Sequence, residues 1–236
     1  MRIVGSSHRT LKNVSLYSHG PTLGFEGIII MSYVYILTNE AMPGYIKIGL
    51  TDNPVSERVV QLDNTSVAIP FQCYYAARVE DNNKIERALH TAFGDFRVRP
   101  NREFFKMDPY RVKAILEVLA IEDVTPKSEL VATDEDAQAL RAVSIKAGRF
   151  RFSSAAIPIG ATLNFVKDLN LIATVQEDSW VLFEGEKHSL TTAALEALKK
   201  CGYNWSSVQG PEYWLYNGET VGSHRSRLRE IQDEND

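Results

Sequence analysis

Hydrophobic residues alternate with other residues in two neighbouring segments, 33–37 and 45–51, which flank the turn-forming sequence "NEAMPG". Side chains that repeat with a period of two lie on alternate faces of a strand, so this pattern predicts a β-hairpin. We expect its aliphatic face to be buried against a core. The opposite face is expected to be presented outward, and it carries Tyr33, Tyr35, Leu37, Tyr45, Lys47 and Gly49.

A period of three to four residues then predicts three helices. Asn53 is expected to cap the first, with Pro54 in its first turn and Arg58 at the edge of its apolar stripe. Asp81 is expected to cap the second, and a third is expected to begin at Asp108. The apolar stripe of the second helix consists of Ile85, Ala88, Leu89, Ala92 and Phe93.

These elements predict a compact α+β domain over residues 31–121. A third strand at residues 71–79 completes the order ββαβαβα, which is typical of an antiparallel sheet flanked by helices. Residues 122–148 hold six acidic residues, three basic residues and a proline. This composition favours a linker that is helical in part.

Residues 149–236 predict a second, β-rich α+β domain. Ser189 is expected to cap a helix that Gly202 ends, and an Asn-Gly pair predicts a hairpin before a charged helix. The strand candidates are "FRFSS", "ATLNFV", "LIATVQ" and "SWVLFE". Core packing is favoured over a binding face for the aromatic residues Trp180, Trp205, Trp214, Tyr203, Tyr213 and Tyr216.

Residues 1–30 are rich in turn formers and show no sustained hydrophobic period. Met31 directly precedes the first predicted strand. We therefore expect residues 1–30 to be a disordered or non-native extension, with Met31 as the hypothetical true start.

Composition narrows the class of protein without naming a function. The formal net charge of -4 gives no global basic field for nucleic acid, although a local patch is compatible with it. Cys73 and Cys201 form neither a disulfide framework nor a zinc pattern, which favours a reducing, cytoplasmic setting. No apolar run reaches the ~18 to 20 residues of a membrane span. The oligomeric state is left open.

Short motifs in a fixed order point to a family. "YVYILTNEAMPGYIKIG", "ERVVQLDN", "KIERALHTAF" and "NREFF" together resemble the GIY-YIG nuclease superfamily, and in particular its phage-type branch with a "KIG" second motif. The resemblance covers residues 32–110. Residues 149–230 resemble a domain of unknown function that often follows such nucleases, which implies no chemistry.

The resemblance implies hydrolysis of a DNA phosphodiester with one divalent metal ion. It implies that Glu86 holds the metal, that Arg58 contacts the phosphate, and that Tyr35 lies beside the phosphate. Lys47 stands where many members have a second tyrosine. His90 and Glu103 match residues of the phage-type branch, and we count both with the catalytic group.

The residues themselves suit this chemistry. Phosphodiester cleavage needs an activated water and stabilised charge on the phosphoryl oxygens. Lys47 is expected to lower the pKa of the Tyr35 phenol, so that Tyr35 acts as a base or positions the phosphate. One carboxylate, Glu86, suits Mg²⁺ (or Mn²⁺), because Mg²⁺ keeps several of its waters. Arg58 offers a planar fork for phosphate.

Further residues are candidates for nucleic-acid contact. Three arginines lie among three phenylalanines in the segment before the third helix, a mixture that suits phosphate and base contact. The candidates are Arg97, Arg99 and Arg102 together with Tyr33 and Tyr45 of the hairpin.

Each candidate also has a structural interpretation. The tyrosines are compatible with cross-strand packing, Lys47 with an edge-strand charge, and Glu86 with His90 as a surface pair. Arg58, Glu103 and the arginine segment are compatible with solvated positions. Two rival functions remain: a nucleic-acid-binding module that does not cut, and a protein that binds a protein partner through its C-terminal domain.

Overall fold

The structure is a computed structural model that describes residues 32–64, 67–128, 130, 133–146 and 149–234. These residues belong to one compact unit. The expectations for residues 1–30 and for Met31 as the true start lie outside the described residues.

A five-stranded antiparallel sheet forms the first half of the fold. Its strands are β1 (Tyr33–Thr38), β2 (Tyr45–Thr51), β3 (Gln72–Arg78), β4 (Phe104–Lys106) and β5 (Glu122–Asp123). They are ordered β4-β2-β1-β3-β5, so β1 is central. The predicted hairpin is confirmed, with Tyr35 opposite Gly49 and Leu37 opposite Lys47.

Helices cover both faces of this sheet. They are α1 (Val55–Leu62), α2 (Asn82–Ala92) and α3 (Pro109–Leu119). Asp81 and Asp108 cap α2 and α3 as predicted, because their side chains accept from backbone N–H groups of the first turn. The prediction for Asn53 is wrong by one position: Pro54 is the N-cap residue of α1, and no side chain caps it.

The tyrosine face of the hairpin is buried, contrary to the prediction that it is presented outward. Val55 and Val59 of α1 pack on it together with Tyr33, Tyr35 and Leu37. The aliphatic face packs against α2 and α3. A central strand covered on both faces is buried at every position, and all six residues of β1 are buried.

The segment predicted as a partly helical linker contributes to this first sheet. β5 pairs with β3, and the hydroxyl of Thr125 accepts a hydrogen bond of 3.0 Å from the backbone N–H of Ala76. A helix, α4 (Asp134–Lys146), follows. The helical part of the prediction is therefore confirmed, and β5 is an additional strand that the sequence pattern did not indicate.

A six-stranded antiparallel sheet forms the second half, in agreement with the predicted α+β class. Its order is β11-β10-β6-β7-β8-β9. Its strands are β6 (Thr162–Phe165), β7 (Asp168–Glu177), β8 (Trp180–Phe183), β9 (Glu186–His188), β10 (Trp214–Tyr216) and β11 (Glu219–Thr220). Three of the four predicted strands are present, whereas "FRFSS" forms a short 3-10 turn at Phe152–Ala155.

Two helices accompany this sheet, α5 (Leu190–Lys200) and α6 (Val221–Asp233). Ser189 caps α5 as predicted, through a 3.1 Å hydrogen bond from the backbone N–H of Thr192. Asn217 and Gly218 have φ values of 52° and 83°, which is the conformation that a two-residue hairpin turn requires. Core packing of the aromatic group is confirmed for Trp205, Trp214, Tyr203 and Tyr213, all buried, while Trp180 and Tyr216 are partly buried.

The two sheets are joined by buried hydrogen bonds. The Gln72 side chain donates to the Ser207 carbonyl (3.0 Å), and the Tyr74 hydroxyl donates to the Glu212 carbonyl (3.2 Å). Lys167 donates to the Tyr74 carbonyl at 2.7 Å, and burial lowers the pKa of this lysine to about 8. One cluster of buried hydrophobic residues runs through both halves.

A buried carboxyl group lies at this junction. Glu212 accepts a 3.0 Å hydrogen bond from the Thr220 hydroxyl, while Asp108 accepts one of 2.8 Å from the Thr220 backbone N–H. Burial, with the nearby charge of Asp108, raises the pKa of Glu212 from 4.5 to about 7. The folded protein therefore holds this proton at a higher pH than the unfolded chain does.

Glu212→Gln should remove a pH dependence of stability. The stability contributed by protonated Glu212 is fully present below pH 4.5 and is lost as the pH rises through about 7. Between about pH 5 and about pH 8 we expect the wild-type free energy of unfolding to fall by on the order of 2 kcal/mol more than that of the variant. Urea denaturation at both pH values measures this, with Glu196→Gln on the exposed face of α5 as control. Equal pH dependence in the wild type and Glu212→Gln would contradict the prediction.

Within the described residues, the structure contains no helix with the length and apolar character that crossing a membrane requires. Both cysteines are free thiols, and burial raises the pKa of the Cys73 thiol to about 12. A thiol with so high a pKa is a poor nucleophile.

Candidate active site

The candidate site is centred on Tyr35 in the middle of the first sheet. Tyr35 is 1% exposed, and Nε of Arg58 on α1 donates a long 3.5 Å hydrogen bond to its hydroxyl oxygen. Burial raises the pKa of Tyr35, the Arg58 charge opposes this, and the carboxylates of Glu103 and Glu86 raise it further. Arg58, Glu103 and Glu86 therefore all lie within electrostatic reach of the Tyr35 phenol.

Gly49 makes room for the Tyr35 ring. A Cβ atom at Gly49 would lie 2.5 Å from the Tyr35 hydroxyl oxygen and less than 3 Å from two ring carbons. The ring therefore crosses β2 at a position where only glycine leaves space. Alternation along β2 predicts Gly49 on this face, but it does not indicate that the Tyr35 ring needs the space.

Glu86 and His90 lie on the inward side of α2. Their side chains are only 14% and 11% exposed, and the carboxylate lies 3.6 Å from Nε2 of the imidazole. The buried stripe of α2 is rotated from the predicted one, because Ala88 and Ala92 are exposed whereas Leu89 and Phe93 are buried. This rotation turns the Glu86–His90 pair away from bulk solvent, so it is not an open surface pair.

His90 also contacts the strand beside it. Its Nε2 lies 3.1 Å from the Ile48 carbonyl oxygen, and its ring packs on Phe105 with centroids 5.1 Å apart. Because a carbonyl oxygen only accepts, Nε2 carries a hydrogen in this arrangement. His90 thereby ties α2 to β2 next to the Gly49 position.

Lys47 forms an ion pair with Glu103 rather than with the Tyr35 phenol. The Lys47 side chain is 9% exposed and that of Glu103 is 42% exposed. The backbone supports this pair, because the N–H of Ile48 donates to the Glu103 carbonyl at 3.1 Å. The expectation that Lys47 gives Tyr35 a lowered pKa is wrong, since the pKa of Tyr35 is raised and Arg58 is the opposing cation.

Breaking the Lys47–Glu103 pair should destabilise the fold. Glu103→Gln leaves the nearly buried Lys47 ammonium without its carboxylate, and we expect a loss of about 1 to 2 kcal/mol after allowing for the exposure of Glu103. The double variant Lys47→Met with Glu103→Gln should recover part of that loss. Chemical denaturation of the two single variants and the double variant measures the coupling. A coupling free energy near zero would contradict the prediction.

The predicted nucleic-acid contacts divide into two groups. Tyr33 is 7% exposed and packs under α1, so it lies away from the surface, whereas Tyr45 is 36% exposed. Arg99 and Arg102 are exposed. Arg97 donates from Nε to the Arg102 carbonyl at 2.6 Å and lies over the Phe105 ring, so it orders the loop before β4.

Asn82 is a positioning residue that sequence analysis missed. It is 1% exposed, and its side chain donates to the Thr51 carbonyl at 3.2 Å and to the Asp52 carboxylate at 2.8 Å. These bonds attach the first turn of α2 to the end of β2. They thereby help to fix the position of Glu86, which lies one turn further along α2. The only sequence signal was an asparagine directly after the Asp81 cap.

The donor set near Glu86 fits a weakly ligated magnesium ion. Among the described residues there is no cluster of three or more His, Cys, Asp and Glu side chains that could hold a metal ion. Glu103 is engaged by Lys47, and Nε2 of His90 faces a carbonyl, which leaves Glu86 as the available carboxylate. Mg²⁺ commonly binds through one or two carboxylates plus waters and substrate phosphates. The residues present fit that mode and do not fit a metal held entirely by protein ligands.

Comparison with known proteins gives a match for the same part of the chain. Residues 32–120 match the family model of the T5orf172 domain. This domain is phage-associated and is related to nuclease-like folds of the GIY-YIG and HNH types. A search of curated proteins and a search of solved structures found no match. The expected phage-type, nuclease-like domain is confirmed at this level, while membership of the GIY-YIG superfamily and the assignment of residues 149–236 stay predictions.

Proposed function

We propose that residues 32–120 form the catalytic domain of a metal-dependent DNA endonuclease of the GIY-YIG type. The observation that carries the proposal is the contact between Arg58 and the Tyr35 hydroxyl, with the carboxylates of Glu86 and Glu103 close enough to raise the pKa of Tyr35. Three elements, β1, α1 and α2, supply Tyr35, Arg58 and Glu86, and the segment just before β4 supplies Glu103. The match to a nuclease-associated domain supports the same activity.

Arg58 is the proposed phosphate-binding group. It projects from α1, is partly exposed, and uses Nε in its contact with Tyr35. A guanidinium has five N–H donors in a rigid plane, so the donors on its outer edge suit two oxygens of one phosphate. Positive charge held there stabilises the negative charge that develops on the phosphoryl oxygens during cleavage.

Tyr35 is proposed to position Arg58. Its raised pKa keeps the phenol protonated at neutral pH, which makes it a poor general base. The hydroxyl oxygen instead accepts the Arg58 Nε–H and thereby fixes the plane of the guanidinium. Of the two roles that the sequence left open for Tyr35, phosphate positioning is the one that its burial favours.

Glu86 is the proposed holder of the metal ion. Its carboxylate is 14% exposed and lies next to His90, which ties α2 to β2. A bound Mg²⁺ or Mn²⁺ would supply positive charge at the phosphate and a water of lowered pKa. Lys47 and Glu103 are proposed to support the site by packing β2 against the segment before β4.

A second candidate is a nucleic-acid-binding module that does not cut. Two observations favour it: Lys47, which stands in place of a second tyrosine, is neutralised by Glu103, and Tyr35 is almost fully buried. In that function the exposed Arg99 and Arg102 would contact the DNA backbone.

The test is a cleavage assay with the full chain. Supercoiled, linear and branched DNA are incubated with Mg²⁺, with Mn²⁺ and with a chelator, and retardation of the same DNA is followed at several salt concentrations. The proposal predicts cutting of at least one substrate that requires the metal. Salt-dependent retardation with no cutting in any condition would overturn it and support the binding module.

A further inference from the structure

A cavity that shares no lining residue with the cluster around Tyr35 lies where the β1–β2 loop meets the second half of the fold. It has a volume of about 220 Å³, which is several times the ~30 Å³ that one water occupies in the liquid. Apolar groups line part of it, including Pro43, Phe150 and Pro211. The cavity is therefore large enough for a small organic molecule with an apolar portion.

Two arginines give the cavity its charge. Arg225 of α6 lies with its guanidinium carbon 4.8 Å from the centre of the Phe150 ring, and Arg149 lies 4.3 Å from the centre of the Trp180 ring. Stacking on an aromatic ring restrains a guanidinium plane and leaves its edge for hydrogen bonding. Across residues 32–64, 67–128, 130, 133–146 and 149–234, neither guanidinium forms a salt bridge with a carboxylate.

The acidic groups at this cavity accept hydrogen bonds from other residues, although Glu212 also interacts electrostatically with Arg225. Glu40 accepts a 3.0 Å hydrogen bond from the Ser207 hydroxyl, and Glu212 accepts from Thr220. Burial raises the pKa of Glu212 to about 7, so the negative charge of this carboxyl is reduced near neutral pH. The cavity is therefore more positive than a count of its charged residues suggests.

Two polar atoms of the lining residues lack a hydrogen-bond partner. Among the described residues, Nε2 of Gln209 and Nε of Arg225 are buried and find no acceptor. Buried donors in folded proteins are nearly always paired, and an orphan donor calls for an explanation such as a bound water or ion. Both unpaired atoms are hydrogen-bond donors, as are the other nitrogens of the two guanidinium groups. A ligand that fits this cavity should therefore carry hydrogen-bond acceptors.

We propose that this cavity binds a small phosphate ester of mononucleotide size. A phosphate is a dianionic acceptor with several oxygens, which matches the forks of Arg149 and Arg225 and the Gln209 amide. The apolar lining would hold the rest of the molecule. The site is separate from the cluster around Tyr35, and its binding does not depend on DNA cleavage.

Titration calorimetry on the full chain tests the proposal with four probes. They are deoxyadenosine monophosphate, inorganic phosphate, deoxyadenosine without phosphate, and a DNA duplex with and without a 5′-phosphate. We expect deoxyadenosine monophosphate to bind and deoxyadenosine not to bind. If the 5′-phosphorylated duplex binds through the same arginines and the mononucleotide does not, the result supports the phosphate site with a strand end as the source of the phosphate.

Three variants locate the binding. Arg149→Gln and Arg225→Gln should each weaken the affinity at least about tenfold, since each removes a charge-assisted contact. Arg151→Gln is the matched control, because Arg151 is nearby in sequence, its side chain is 74% exposed, and it pairs with Asp178 instead. If Arg225→Gln fails to fold, Arg149→Gln still tests the proposal, because Arg149 is exposed and its replacement leaves the core intact. Tryptophan fluorescence of the wild type compared with that of a Trp180→Phe variant isolates the signal of the ring under Arg149 and gives a second readout. No binding of any phosphate probe, or unchanged binding in Arg149→Gln and Arg225→Gln, would overturn the proposal.

Discussion

Glu86→Gln should lower the rate of metal-dependent DNA cleavage by at least about a thousandfold, because an amide at this position removes the charge that holds the cation and its activated water. The change keeps the shape of the side chain. Within the part of the chain that the structure describes, the side chains of Asp81 and Asn82, not that of Glu86, cap and anchor α2. We therefore expect the melting temperature and the affinity for uncut DNA to change little.

Glu80→Gln provides the matched control for Glu86→Gln. Glu80 lies on an exposed turn just before α2, so its replacement changes the net charge by the same amount without touching the site. Cleavage rates with saturating Mg²⁺ separate the two variants. If Glu86→Gln retains more than about a tenth of the wild-type rate, the proposed metal position is wrong.

Gly49→Ala should lower the cleavage rate by about a hundredfold, which is the size of effect that a 1 Å displacement of a reacting group can produce. The added methyl would lie 2.5 Å from the Tyr35 hydroxyl oxygen, so the ring must move. This movement displaces the hydroxyl oxygen that accepts the hydrogen bond from Arg58. In a strand, alanine replacing glycine is otherwise neutral or favourable. The loss should therefore appear in kcat rather than in the binding of DNA.

Gly94→Ala is the control for Gly49→Ala. A Cβ at Gly94 meets no atom within 4 Å, and Gly94 does not have a positive φ. Its activity and thermal stability should equal those of the wild type. Comparable kcat values for Gly49→Ala and Gly94→Ala would show that the position of Tyr35 does not matter for the reaction.

The strands and helices of the first half could be predicted because their patterns are strong. Alternation gave the hairpin, and Asp81 and Asp108 mark helix starts by a local hydrogen bond that needs no tertiary partner. The strand predicted at "FRFSS" is absent, because its local pattern does not decide its conformation. Its alternation is that of a strand, but Phe152 and Ala155 are both buried in a 3-10 turn. Tertiary packing decided its conformation.

The neighbours of Tyr35 could be predicted from the sequence, but their charge interactions could not. The residues that gather around Tyr35 were identified through their motifs, whereas the burial that raises the pKa of Tyr35 comes from α1 covering the sheet. Pairing Lys47 with Glu103 joins residues 56 positions apart. Neither hydrophobic periodicity nor local residue spacing indicates a contact over such a separation. The sequence therefore predicted that Lys47 interacts with Tyr35, which is closer along the chain and lies on the adjacent strand.

The short strand β5 protects an edge of the first sheet. It consists only of Glu122 and Asp123, yet it pairs with the end of β3, and Thr125 satisfies one more backbone N–H beyond it. A chain that stopped at residue 121 would leave β3 as an open edge with hydrophobic neighbours. Such edges add strands from other molecules. The nuclease-like half therefore depends on residues beyond its own motifs to cover this edge, and a fragment for expression should extend at least through Thr125.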